Sequence, residues 1–265
     1  MFAQTSLAAA TPTVADFSMC TYKPGKGPND LNKAASYWQT QMGKIYPEGS
    51  IYFAAIMTPV LGHTESDFIW AGLSPNLNEW VAGGETYTSS KEGQAANARF
   101  EPVADCSVPN SHLMTSLYQG AEPDPTDDNG VIEIFACTVN EGKTSANVLA
   151  AEQAWAAQTT ALKLPLSSWR FNPIWANSPA DLAYCVAHDD LKAFAANSTA
   201  RLTDPSVAGV NAGFADTMTC ESWVKASQGE PNRSSSDDDA CRLLISRGAR
   251  VNPSPCPARF CTENL

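Results

Sequence analysis

The chain has 265 residues, 43% of them hydrophobic, and 28 acidic against 17 basic residues give it a formal net charge of −11. That acidic balance disfavours nucleic acid and anionic membrane surfaces as partners. No stretch approaches the roughly 20 apolar residues that cross a bilayer, so no transmembrane segment is expected.

The first residues, Met1 to Val14, lack the basic start of a complete signal peptide, while their Ala-rich run resembles sequence that follows a cleavage site. Asp16 to Thr21 is a short apolar run suited to a buried strand. Leu31, Ala34, Ala35 and Trp38 then recur at helical spacing, with Asp30 as the expected cap. Strands are predicted over Ile51 to Met57 and Phe68 to Gly72. A second helix should begin near Ser74 with Pro75 in its first turn, and a last strand should run from Phe100 to Cys106. Glu122 to Asp128, acidic and Pro-containing, reads as a linker. The same order follows again: strand Val131 to Cys137, a helix carrying Val148, Ala151 and Trp155 behind Thr144, strands Trp169 to Trp175 and Leu182 to Val186, a helix from His188-Asp189, and strand Phe214 to Cys220.

The second set repeats the first. Cys20 and Trp38 are spaced like Cys137 and Trp155, and Asp67, Leu77, Trp80, Phe100 and Cys106 fall at the same steps as Asp181, Leu191, Phe194, Phe214 and Cys220. The expected organisation is an extension over 1–14, a unit over 15–120, a linker over 121–130, a second unit over 131–228 and a tail over 229–265. Eight cysteines suggest an oxidising, secreted or periplasmic setting. Their equivalent places at first and last strands predict the bridges Cys20–Cys106 and Cys137–Cys220, with four buried unbridged thiols as the alternative. Cys185 reads as a buried thiol, and Cys241, Cys256 and Cys261 sit in the tail. No CxxC or Cys/His pair has zinc-ligand spacing, so no metal is expected.

The order β-α-β-β-α-β, taken twice, is a split βαβ pattern, and through it the chain resembles a tandem ferredoxin-like repeat of the dimeric α/β-barrel superfamily. The resemblance implies an α+β fold in which two βαββαβ units form an intramolecular pseudo-dimeric α/β barrel. That superfamily includes cofactor-independent monooxygenases, lactone isomerases, polyketide cyclases, haem enzymes and stress-responsive proteins. The likeness is one of element order; no haem-ligand motif or catalytic triad aligns, and no cofactor is expected.

Strand alternation puts Phe68, Trp70 and Gly72 on one face, and Leu182, Tyr184 and Val186 on its counterpart. This face is assigned to the barrel interior. Ile69, Ala71, Ala183 and Cys185 are assigned to the helices. Tyr52, Trp70, Arg170, Asn172 and Tyr184 are the candidate ligand-binding residues: the aromatics for apolar contact, Arg170 and Asn172 to orient a carboxylate or carbonyl. A solvent-exposed sheet edge is the alternative for the polar pair.

Among the three histidines, His63 and His112 read as loop residues. His188, at a strand end before Asp189-Asp190, is the candidate general base, with a role beside a helix cap as the alternative. Asp16 and Glu133 occupy equivalent places in the two first strands, either sharing a proton or exposed at strand ends. The triplets Asn197-Ser-Thr199 and Asn232-Arg-Ser234 permit glycosylation. The expected function is secreted or periplasmic binding of a small apolar or aromatic molecule in a barrel pocket. The alternatives are a cofactor-independent monooxygenase, isomerase or cyclase, and a structural or interaction protein.

Overall fold

Thr13–Tyr22, buried on both faces over Val14 to Asp16 and alternating from there on, is β1, and Pro28–Ile45 follows as α1 in a computed structural model that describes residues 13–46, 53–61, 65–120, 130–175 and 180–226. Pro28 stands at the first helical turn, where its fixed φ suits the helix and no amide hydrogen is needed, so α1 starts before the Asp30 cap expected from sequence. Leu31, Ala34, Ala35, Trp38 and Met42 form its buried stripe. Next come β2 (Phe53–Leu61), β3 (Phe68–Ser74), α2 (Leu77–Ser89), α3 (Lys91–Phe100), β4 (Ala104–Cys106) and β5 (Asn110–Gln119). The chain continues as β6 (Val131–Val139), α4 (Ser145–Ala161), β7 (Leu166–Trp175), β8 (Leu182–His188), α5 (Leu191–Thr203), a 3-10 turn at Pro205–Val207, α6 (Ala208–Thr217) and β9 (Met218–Ala226).

Several boundaries correct the sequence reading. Asn76, not the region of Ser74, caps α2 by accepting from the Glu79 amide at 3.0 Å, so Pro75 precedes the helix. Phe100 and Phe214 belong to helices rather than to last strands. Ala96 and Phe100, four residues apart, meet the core as a helical pair, and strand alternation does not distinguish that spacing. Gly93 makes the turn from α2 into α3 possible, since a Cβ there would stand 1.8 Å from the Tyr87 carbonyl oxygen.

All the strand pairings are antiparallel, in the order β3-β2-β9-β6-β8-β7-β5-β1-β4, and a further ladder pairs β3 back onto β1, curling the sheet round. Two seams hold the halves together: β2 pairs with β9, and β5 with β7. Cys20 faces Cys106 across one ladder and Cys137 faces Cys220 across another, each pair bridged with Cα atoms 4.1 Å apart. The Asp67 carboxylate accepts from the Tyr22 amide at 2.6 Å, and Asp181 accepts from the Val139 amide at 2.8 Å, so the same anchor recurs beyond each first strand.

The two faces of the sheet are reversed relative to the sequence expectation. Phe68 packs against Leu31, Ala34 and Ala35 of α1, and Trp70 joins that helix-side cluster. Ile69, Ala71, Met57 and Ala55 instead meet Phe17, Ile132 and Ile134, side chains from β1 and β6, strands that are not neighbours in the sheet. Phe171, Met114, Ala15 and Cys185 continue this inner cluster. The concave side is therefore filled with apolar side chains, and the larger aromatics of β3 and β8 are turned outward beneath the helices. Cys185 is a buried free thiol, its pKa pushed up to about 12 by burial. Tyr52, His63, Cys241, Cys256, Cys261 and the Asn232 triplet lie outside the described residues.

Candidate functional site

Between the outward face of the sheet and its helices lie two cavities, one in each half. The first, about 610 Å³, sits under α1, α2 and α3 against β1 and β3. Its aromatic walls come from separate elements: Trp38 on α1, Trp70 on β3, Trp80 on α2 and Phe100 on α3. Trp70 meets Trp38 edge-on with ring centres 5.0 Å apart, and Phe100 likewise at 5.2 Å, so the three rings lock one another into place.

Asp16 supplies the buried charge of this cavity. It lies on β1 opposite Gly72 of β3 and lines the cavity. Only 8% of Asp16 is exposed, and its Oδ2 accepts the Trp80 indole N–H at 2.8 Å. Burial raises its pKa, and the Trp80 hydrogen bond offsets part of that rise. The Tyr46 hydroxyl donates to the Gly83 carbonyl at 2.8 Å, and the Tyr87 hydroxyl to Asn97 Oδ1 at 2.6 Å. Burial, aided by Tyr87, pushes Tyr46 up to about 12. Of the charged residues lining the cavity, Asp16 and Glu101 are acidic and none is basic.

The second cavity, about 560 Å³, lies under α4, α5 and α6 and is walled by Trp155, Tyr184, Phe194 and Phe214. Glu133 of β6 holds the place that Asp16 holds on β1, but its charge is matched internally. Arg201 of α5 donates to Glu133 Oε2 at 2.7 Å, and His188 Nε2 lies 3.4 Å from the same oxygen. Burial by itself would raise the Glu133 carboxyl, but the hydrogen bonds and charges of His188 and Arg201 outweigh it and hold the pKa below its usual value. Asp16 and Glu133 are thus both buried, each beside its own cavity; neither is exposed at a strand end, and they share no proton.

His188 is 3% exposed and does not line either cavity. Asn197 Nδ2 donates to the Pro165 carbonyl at 3.3 Å and lies 3.1 Å from His188 Nδ1, while His188 Nε2 faces Glu133 on the other side of the ring. Both ring nitrogens are therefore engaged, and neither is open to abstract a proton from a substrate. Asn197 itself is buried with its amide committed inside, so the first glycosylation triplet has no accessible acceptor.

The remaining candidates separate. Trp70 lines the first cavity and Tyr184 the second. Arg170 points to the helix side and forms an ion pair with Glu152 of α4 at 2.8 Å, while the Tyr184 hydroxyl donates to Glu152 at 2.8 Å. Burial first, and then the Glu152 charge, raises the Tyr184 pKa. Asn172, opposite Leu113 in the β5–β7 seam, lines neither cavity. Sequence reasoning missed Glu152 and Arg201, and saw Asn197 only as part of a glycosylation triplet; all three are polar helix residues whose partners lie on other elements. Trp38 and Trp80 were visible in the repeat, but only as markers of it.

No protein-family model matches the chain, and no curated protein matches it. Solved structures do. A candidate monooxygenase from Fusobacterium nucleatum superposes with a TM-score of 0.55 at 10% identity, covering 91% of this chain and 97% of its own. A heme-binding protein from Thermus thermophilus gives 0.51 at 10%, covering 82% and 92%. A candidate monooxygenase from Lactobacillus acidophilus gives 0.50 at 9%, covering 81% and 93%. At this identity the likeness establishes a fold, that of the dimeric α/β barrels, and no activity.

Proposed function

We propose that the chain binds a small aromatic or apolar molecule in the cavity walled by Trp38, Trp70, Trp80 and Phe100. The observation that carries the reading is an aromatic-walled space with one buried carboxylate, on the outer side of a sheet whose inner side is packed. The barrel pocket expected from sequence is thus replaced by one between sheet and helices. Matching seams, matching carboxylate anchors and matching disulfides support the further reading that two ferredoxin-like units, residues 15–120 and 131–228, make an intramolecular pseudo-dimer. Two disulfides support an oxidising, secreted or periplasmic setting.

The heme-binding relative raises the question of a haem here. An axial ligand requires an available imidazole, thiolate, thioether or phenolate. Neither cavity is lined by a described histidine; Cys106 and Cys220 are in disulfides, and the Tyr46, Tyr87 and Tyr184 hydroxyls are hydrogen-bonded. Met218 in the second cavity has its sulfur 3.4 Å from the Tyr184 hydroxyl. The described residues do not fit the group. The catalytic alternative with His188 as base is weakened by the engagement of both its ring nitrogens, so binding is the preferred reading.

The test is native mass spectrometry of the protein purified from its source, followed by denaturation and identification of released small molecules. One organic component of defined mass is expected, displaced in Trp70→Ala. A homogeneous unliganded mass that no aromatic or apolar compound shifts would refute the binding function.

A further inference from the structure

The two cavities differ in one chemical respect that the repeat allows to be compared place by place. The step that relates Leu77 to Leu191 and Phe100 to Phe214 also relates Tyr87 to Arg201 and Ser74 to His188. In the second half the buried strand carboxylate, Glu133, is therefore met by an arginine and a histidine. In the first half the same places hold a tyrosine and a serine. The Tyr87 hydroxyl is turned to Asn97, and among the described residues no lysine, arginine or histidine forms an ion pair with Asp16.

We infer that the first cavity selects an organic cation, a protonated amine on an aromatic or aliphatic body, whose ammonium group takes against Asp16 the place that Arg201 takes against Glu133. This rests on the binding function proposed above and adds to it the charge of the ligand. Three properties of the cavity agree. Asp16 offers carboxylate oxygen to an N–H donor, and such charge-assisted hydrogen bonds are the strong ones where water is excluded. The faces of Trp38, Trp70 and Trp80 carry negative quadrupole density that attracts a cation and repels an anion. Glu101 at the same cavity adds a second negative charge, with no basic lining residue to oppose it. Burial disfavours an Asp16 carboxylate that has the Trp80 N–H but no cation against it, and an arriving ammonium group relieves that penalty.

The probe is 2-phenylethylammonium, compared with neutral 2-phenylethanol and anionic 3-phenylpropionate, titrated by calorimetry into the full chain at neutral pH. The cation should bind at least about tenfold more tightly than the alcohol, and the anion most weakly. Asp16→Asn should abolish the preference for the cation over the alcohol. Tyr87→Arg, which supplies the internal cation found in the other half, should also remove it and serves if the Asp16 variant does not fold. Equal affinity for all three compounds, unchanged by either substitution, overturns the inference while leaving the binding function standing. No binding of any of the three overturns both.

Discussion

Trp80 of α2 donates its indole N–H to Asp16 of β1 across 2.8 Å and so ties a helix to the buried carboxylate that lines the first cavity. The same indole stacks on Trp175 of β7, ring centres 5.6 Å apart, which joins the first half to the second beside the cavity. Trp80→Phe keeps an aromatic ring and removes the donor. It should cost about 1 kcal/mol in urea unfolding and raise the Asp16 pKa further, since the one hydrogen bond opposing burial is gone. A carboxyl carbon chemical shift followed against pH reads that change directly.

The pH dependence of stability should carry opposite signs at the two carboxylates. Asp16, with a raised folded pKa, contributes stability that is fully present below its unfolded value of 3.8 and is lost as pH rises through the folded value. Asp16→Asn should therefore stabilise the unliganded chain at pH 7 and lose that effect near the unfolded value. Glu133, with a lowered folded pKa, contributes stability that is present above 4.5 and is lost as pH falls through the folded value. Glu133→Gln should flatten the acid limb of the stability profile. Urea midpoints at a series of pH values check both.

Arg201→Leu leaves Glu133 buried beside His188 without its guanidinium. The variant should lose about 2 to 3 kcal/mol at neutral pH, with the loss shrinking in acid as Glu133 protonates. A loss independent of pH would place the role of Arg201 in packing instead.

Glu152 is buried to 2% exposure and holds Arg170 and the Tyr184 hydroxyl together. Removing it strands a cation, so Glu152→Leu should cost about 3 kcal/mol, whereas Tyr184→Phe should cost about 1 kcal/mol. The double variant should be less destabilised than the sum, because both substitutions break the same hydrogen bond.

Substitutions on the two faces of the sheet should separate stability from binding. Phe171→Ala, in the inner cluster, should destabilise by about 3 to 4 kcal/mol and leave ligand affinity in the first cavity unchanged. Trp70→Ala should weaken ligand binding strongly, because it opens the wall shared with Trp38 and Phe100.

What was legible in the sequence follows from the physics of each signal. The order strand, helix, strand, strand, helix was readable in both halves because period-2 and helical patterns recur, whereas α3, α6 and β5 were not separated from their neighbours; Cys20, Cys106, Cys137 and Cys220 fell at equivalent strand positions that the ladders then set opposite one another. Which face met the helices was not readable. Alternation separates Phe68 and Trp70 from Ile69 and Ala71 but does not say which set lies inside, and both faces of this sheet are apolar. The small side chains Ala71, Ala183 and Cys185 suggested close helix approach, whereas small α1 residues, Ala34 and Ala35, provide it. Charge pairing was hidden for a different reason. Arg201 and Glu133, or Glu152 and Arg170, meet only after the helices dock, and no local spacing connects them. Asp16 beside Trp80 was likewise invisible, since the two are joined only by tertiary packing.

The most direct test of a ligand site at the first cavity is fluorine NMR of the chain labelled with 5-fluorotryptophan, which reports on all seven tryptophans at once. Titration with 2-phenylethylammonium should shift the resonances of Trp38, Trp70 and Trp80 saturably and together, and leave Trp155 and Trp169 in place. Saturable shifts at Trp155 alone, or none at any tryptophan, would contradict a ligand site there.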